Sequence, residues 1–218
     1  MFQDRRQAGE ELAKVLEEYK GRADVIVIAL PRGGVVLGRI IADALGAPLD
    51  IVVPRKIGAP GNEEYAIGAI TETGEAVWNE AERARVAGDY AERVVAEEQA
   101  EAKRRLDVYR KDMPARDVKG KIVILVDDGA ATGYTMRAAI QTMRKEGARK
   151  IVAAVPVAPK DTAEELKAEA DEVVVLDTPR MFWAIGAHYD TFNQVNDDTV
   201  ISLFHERESV HSAPPYPA

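Results

Sequence analysis

Two adjacent carboxylates, Asp127 and Asp128, stand directly before a run of small residues, Gly129-Ala130-Ala131-Thr132-Gly133, with Tyr134 and Thr135 next. Small residues in succession let several backbone N–H groups point into one concavity, and Thr132 and Thr135 add hydroxyl donors. Such a nest suits a phosphate. The aspartates cannot serve the same anion, because like charges repel; they suit neutral hydroxyls, as hydrogen-bond acceptors, or a metal ion. A ligand with hydroxyls on one side and a phosphate on the other fits both halves, and a ribose 5-phosphate is such a ligand. A second anion site is legible at Pro31-Arg32-Gly33-Gly34, where paired glycines bare the backbone N–H groups beside a guanidinium that can bind in two-pronged fashion. Each piece also has a plainer reading, an ordinary strand-to-helix turn.

Around these residues, the apolar run at 122–126 (IVILV) reads as a strand buried on both faces, and the pattern turns helical from Thr135. Met136, Ala139, Ile140 and Met143 share one face, and Gly147 stops the helix. The carboxylates and the loop therefore lie between the carboxyl end of a strand and the amino end of a helix, where open α/β sheets bind ligands. Further strands are predicted over 24–30, 49–53, 151–157 and 173–176, with helices over 35–45 and 161–170. A first helix over 3–19 carries Ala8, Leu12, Val15, Leu16 and Tyr19 on one stripe. Strand and helix alternating with short turns predict an α/β fold around a doubly wound, mainly parallel five-stranded sheet.

Two stretches interrupt that alternation. Residues 57–62 (IGAPGN) are rich in glycine and proline and predict a mobile loop, followed by a hairpin of 65–71 and 75–78 around Thr73-Gly74. Residues 80–112 are charged and helical, broken near Gly88, with Tyr90, Val94, Ala102, Leu106 and Tyr109 as a narrow apolar stripe. They predict an insertion packed on the core or on a second subunit, its charges forming a solvated face.

The chain has 218 residues, 46% of them hydrophobic, enough for one α/β core spanning residues 1–205. A net charge of −8 argues against nucleic acid as partner, so an anionic substrate must be drawn in by local donors. The absence of cysteine excludes disulfides and thiolate chemistry. His188, His205 and His211 have no metal-ligand spacing. No apolar run is long enough for a membrane span and no signal peptide is evident, so a cytoplasmic protein is expected. The tail, 206–218, reads as disordered. A Walker A loop is excluded, because only three residues separate Gly129 from Gly133 and Tyr134 stands where the lysine belongs.

The stretch Val126-Asp127-Asp128-Gly129-Ala130-Ala131-Thr132-Gly133-Tyr134-Thr135 resembles the phosphoribosyl pyrophosphate signature of type I phosphoribosyltransferases: a hydrophobic strand, two acids, small residues, then T-G-x-T. By this resemblance Asp127 and Asp128 hold the ribose hydroxyls, and residues 130–135 (Ala130, Ala131, Thr132, Gly133, Tyr134, Thr135) bind the 5-phosphate. Arg32, Gly33 and Gly34, with Arg55 and Lys56 after the third strand, bind the pyrophosphate, and Arg32 and Lys56 count among the catalytic groups with the acidic pair. The resemblance implies Mg²⁺, held mainly through the substrate, with Asp127, Asp128 and Asp190 as candidate protein ligands. It also implies a homodimer and a flexible loop, about 57–78, that closes over the reaction centre. The implied activity is transfer of ribose 5-phosphate to a nitrogenous base; a non-catalytic sensor of the same ligand is the alternative.

Residues 181–190 (MFWAIGAHYD) resemble the hood over the base in purine phosphoribosyltransferases, within a segment of about 179–198. By that match Trp183 stacks on the base beside Phe182, and Asp190 is the acid. Core aromatics beside a turn are the alternative. Two departures stand out. Enzymes for 6-oxopurines carry an aspartate one residue before the T-G, where this chain has Ala131. Their base-reading lysine falls near Val157-Ala158-Pro159-Lys160, here in a shifted position.

Overall fold

A computed structural model describes residues 1–205 of the protein; the predicted disordered tail lies outside the described residues. In chain order the elements are α1 (Arg5–Val15), β1 (Val25–Ala29), α2 (Gly33–Leu45), β2 (Leu49–Ile51), β3 (Arg55–Ala59), β4 (Asn62–Ile70) and β5 (Ala76–Trp78). They continue as α3 (Glu80–Arg83), α4 (Gly88–Tyr109), β6 (Ile122–Val126), α5 (Tyr134–Lys145), β7 (Lys150–Val157), α6 (Lys160–Glu169), β8 (Glu172–Asp177) and α7 (Asp197–His205).

Five strands form the parallel sheet, in the order β2-β1-β6-β7-β8. Both central strands are buried throughout, as unbroken apolar runs require when helices cover both faces. Alternate side chains feed two cores. Val25, Val27, Ile122, Ile124 and Val126 pack with residues of α1, α2 and α7. Ile26, Ile28, Val123 and Leu125 pack with residues of α5 and α6. Register then fixes where the chemistry lies. Val25 pairs with Ile122 and Ala29 with Val126, so β1 and β6 end level. Ala29 also pairs with Ile51, bringing the end of β2 to the same height. The segments after all three strands, which carry Arg32, Asp127 and, at the start of β3, Arg55, therefore open on one rim.

Three local predictions are corrected, and one helix is added. The first helix stops at Val15 and tightens into a 3₁₀ turn over Glu17–Tyr19. Leu12, Leu16 and Tyr19 are buried, but Val15 is turned out to solvent. Residues 57–62 are not one open loop: β3 runs through Ala59 and pairs with β4 in a three-stranded antiparallel sheet ordered β3-β4-β5, leaving Pro60-Gly61 as the turn. Glycine and proline masked that strand, yet Ile57 is buried with Ile67, Ile70 and Val94. Gly58 permits the close pairing, since a Cβ there would meet the Glu63 backbone at 2.6 Å. The predicted turn at Thr73-Gly74 is present, with Gly74 at φ +90. The charges of residues 80–112 are not all on a solvated face, because α4 lays one edge along a cavity at the strand ends. Its Ala91, Val94, Ala102 and Tyr109 pack onto the body of the protein. Finally α7 was not legible in advance; it buries Val200, Leu203 and Phe204.

A buried ion network joins the two sheets. Arg116, only 6% exposed, donates to Glu72 at 3.0 Å, to Glu146 and to the Ile51 carbonyl. Glu72 in turn accepts from the Val53 amide at 3.0 Å. This pins the β4–β5 turn to the end of β2 and to α5. No described helix is long and apolar enough to cross a membrane.

Candidate active site

A cavity of about 1330 Å³ opens at the carboxyl ends of the parallel strands. Asp127 and Asp128 form its floor. The Asp128 amide donates to Asp127 Oδ1 at 2.8 Å, which fixes the first carboxylate against the backbone. Burial pushes the Asp127 carboxyl well up from its ordinary range, and the neighbouring Asp128 charge pushes it the same way. Burial also raises Asp128, where the guanidinium of Arg5 opposes it. Arg5 Nε lies 2.8 Å from Asp128 Oδ2. No sequence pattern singled out Arg5, which reaches the site from the first turn of α1.

The small-residue loop is braced from behind. The Ala130 amide donates to the Val157 carbonyl at 3.0 Å, and Thr162 Oγ1 donates to the Ala131 carbonyl at 2.7 Å. Ala130 is therefore buried and spends its N–H on the sheet, while Ala131, Thr132, Gly133, Tyr134 and Thr135 line the cavity. Gly133 sits at φ +72, a left-handed conformation that glycine adopts at little cost, and this turns the chain into α5. The first amides of α5 then face the cavity, where an anion gains from the helix dipole.

Arg32, Gly33, Arg55 and Lys56 line the same cavity. The Pro31–Arg32 peptide is cis. Gly33 is required by close approach: a Cβ there would lie 1.8 Å from Asp128 Oδ2. Gly34 is packed tightly too, a Cβ meeting the Val126 carbonyl at 2.7 Å, but it does not line the cavity. Arg55 is held by Glu98 of α4 at 2.7 Å, and Arg32 stands 3.8 Å from Asp197 at the start of α7. Tyr90, Arg93, Glu97, Glu98 and Arg105 of α4 form the wall opposite the strand ends. Apart from Tyr90, which stands on the apolar stripe, nothing in the sequence marks them out, because their helical spacing is that of any charged surface.

The hood residues stand apart. Trp183 is 86% exposed, Phe182 stacks on His188 at 5.1 Å, and Asp190 uses its amide to bond the Phe2 carbonyl at 2.8 Å. None of the three lines the cavity; Ile185, in the 3₁₀ turn Ile185–His188, is the residue of this segment that does. Lys160 opens α6 and is likewise outside the lining.

Among the described residues no three His, Cys, Asp or Glu side chains form a cage for a metal ion. Mg²⁺, however, commonly keeps several waters and binds through one or two carboxylates together with substrate phosphates. The Asp127–Asp128 pair beside a phosphate-sized nest fits that donor set.

A family model described as the phosphoribosyl transferase domain matches residues 2–190. A Mycobacterium tuberculosis H37Rv protein named "Putative phosphoribosyl transferase" is 42% identical over 205 residues, which are 93% of this chain and 46% of that protein. The chain thus spans about half the length of the curated relatives it matches. The crystal structure of TT1426 from Thermus thermophilus is 44% identical, with a TM-score of 0.79 over 94% of this chain and 98% of that one.

Proposed function

Because the chain belongs to the phosphoribosyl transferase domain family, we propose that it is a phosphoribosyltransferase. It binds phosphoribosyl pyrophosphate in the strand-end cavity and transfers the ribose 5-phosphate group to a nitrogenous base, releasing pyrophosphate. The observation that carries this reading is convergence: the acidic pair, the braced loop and three basic side chains, from turns far apart in sequence, line one cavity.

In this reading residues 131–135 bind the 5-phosphate through backbone N–H groups and the hydroxyls of Thr132 and Thr135. Asp127 and Asp128 accept the ribose hydroxyls. Arg32, Arg55 and Lys56, with the Gly33 backbone, hold the pyrophosphate and stabilise the charge it gains as its oxygen leaves C1. A nitrogen of the base then bonds to C1 from the opposite side. Mg²⁺, when bound, would neutralise pyrophosphate charge, and Asp127 and Asp128 would be the residues that hold it. The transition state is oxocarbenium-like, so the chain's main contributions are positioning, electrostatic stabilisation and exclusion of water. Phe182, Trp183 and Asp190 enter as base contacts only if the hood swings toward the cavity; Ile185 already borders it. A cytoplasmic homodimer is part of the proposal.

Specificity turns on Ala131, which is exposed and lines the cavity. With no carboxylate there, the loop cannot take the N7 proton of a 6-oxopurine, and a general base is commonly worth about 10²–10⁴ in rate. Hypoxanthine and guanine are therefore expected to be poor acceptors. The test is pyrophosphate release with hypoxanthine, guanine, adenine, uracil and orotate compared under one set of conditions. Fastest turnover with either 6-oxopurine would refute the argument from Ala131. Tight binding of phosphoribosyl pyrophosphate with no turnover on any base would make the protein a sensor.

A further inference from the structure

We propose that Arg5 is a positioning residue for the ribose side of the cavity, holding Asp128 in the orientation that receives the sugar hydroxyls. The inference deepens the functional reading above and rests on it. Arg5 is the first residue of α1, and Asp4 caps that helix by accepting from the Gln7 amide at 2.8 Å, so the backbone under Arg5 is fixed. Its guanidinium makes three contacts at once. Nε donates to Asp128 Oδ2 at 2.8 Å, Nη1 donates to the Asn193 carbonyl at 2.7 Å, and the planar group lies 3.7 Å over the Phe192 ring.

Asp128 is held from the other side as well. Tyr189 Oη donates to the Asp128 carbonyl at 2.7 Å, and Tyr189 packs against both Phe2 and Phe192. Asp128 is thus held where the amino-terminal segment and the hood segment meet, its carboxylate by Arg5 and its backbone by Tyr189, with both Arg5 and Asp128 side chains only 12% exposed. With Oδ2 committed to Arg5, the carboxylate cannot rotate freely, and its remaining acceptor capacity is directed by that bond. The fork geometry matters, because a guanidinium can bond two acceptors and stack on a ring simultaneously, and an ammonium cannot.

Arg5 is not the hood's sole attachment. The Phe2 amide donates to the His188 carbonyl at 2.8 Å, the Asp190 amide to the Phe2 carbonyl at 2.8 Å, and the Thr191 amide to the Gln3 carbonyl at 2.9 Å. Removing the guanidinium should therefore loosen one carboxylate and leave the segment docked. The basic residues expected to hold pyrophosphate, Arg32, Arg55 and Lys56, take no part in these contacts of Arg5.

The experiment is calorimetric titration of the wild type, Arg5→Gln and Arg5→Lys with two ligands in the presence of Mg²⁺: phosphoribosyl pyrophosphate, which carries the ribose hydroxyls, and inorganic pyrophosphate, which has none. Arg5→Gln is expected to weaken phosphoribosyl pyrophosphate by about 10–100-fold, the usual range when a group that orients a ligating side chain is lost. Pyrophosphate should lose less, because Arg32, Arg55 and Lys56 hold it through side chains that Arg5 does not touch, although the Gly33 backbone lies against Asp128 Oδ2 and Arg5 Nε. Arg5→Lys should fall between, keeping the charge without the fork. Unchanged affinity for phosphoribosyl pyrophosphate in Arg5→Gln overturns the proposal. So does an equal loss for both ligands, which would mean a general structural role. A wild type that binds pyrophosphate but not phosphoribosyl pyrophosphate would overturn the functional reading itself, and this inference with it.

Discussion

Burial of Asp127 beside Asp128 raises its carboxyl well above the ordinary range, and a raised carboxyl is a statement about stability. The folded protein holds that proton more tightly than the unfolded chain does. Stability from this group is therefore full below the unfolded value, about 3.9, and is lost as pH rises through the folded one. At neutral pH, above the unfolded value, this group costs stability, either by staying ionised while buried or by taking up a proton on folding, and an isosteric neutral side chain removes the cost. Asn still offers an oxygen to the Asp128 amide. Asp127→Asn is thus expected to raise Tm by at least about 2 °C at pH 7 in ligand-free, metal-free buffer, with the gain shrinking as pH falls toward about 4. Melting curves across pH decide it; a lower Tm at every pH would contradict the assignment. At this scale the acidic pair and the loop were plain in the sequence, because their partners are neighbours in the chain. Arg5 was not, since it meets Asp128 across 123 residues and lies in no motif.

Among the elements, β1, β6 and α5 were legible because an unbroken apolar run and a 3.6-residue stripe each have one economical burial. The β3–β4 hairpin was not. Its glycines and proline suggested a loop, and only the burial of Ile57 against Ile67 and Val94 reveals a strand. Helix α4 was legible as an insertion with Tyr90, Val94, Ala102, Leu106 and Tyr109 on its inner stripe, but not as a wall of the cavity, because that role depends on the hairpin beneath it. Tyr90 Oη donating to the Gly58 carbonyl at 2.9 Å and Glu98 holding Arg55 tie the two together. The hairpin's other anchor is Arg116, whose buried pairing with Glu72 leaves a strong dependence on both partners. Arg116→Ala would strand the Glu72 carboxylate, 5% exposed, without a cation. A loss of about 3–5 kcal/mol is expected in urea unfolding. A change below about 1 kcal/mol would show that the network does not hold the hairpin.

For the whole molecule, a net charge of −8 means that the overall field repels the anionic ligand proposed for the cavity. Binding must then come from groups concentrated at the rim: Arg32, Arg55, Lys56 and the amides that open α5. The level ending of β1, β2 and β6 brings these together, a consequence of register that composition does not record but that alternation of strand and helix already implied. The most direct test is titration of the wild type and the Asp127→Asn/Asp128→Asn double variant with phosphoribosyl pyrophosphate and Mg²⁺. The wild type should bind saturably. The double variant should bind more weakly, the loss reaching several kcal/mol if two or more charge-assisted hydrogen bonds of about 1.5–3 kcal/mol each are removed. No binding by the wild type at millimolar ligand, or equal affinity in the double variant, would contradict the account.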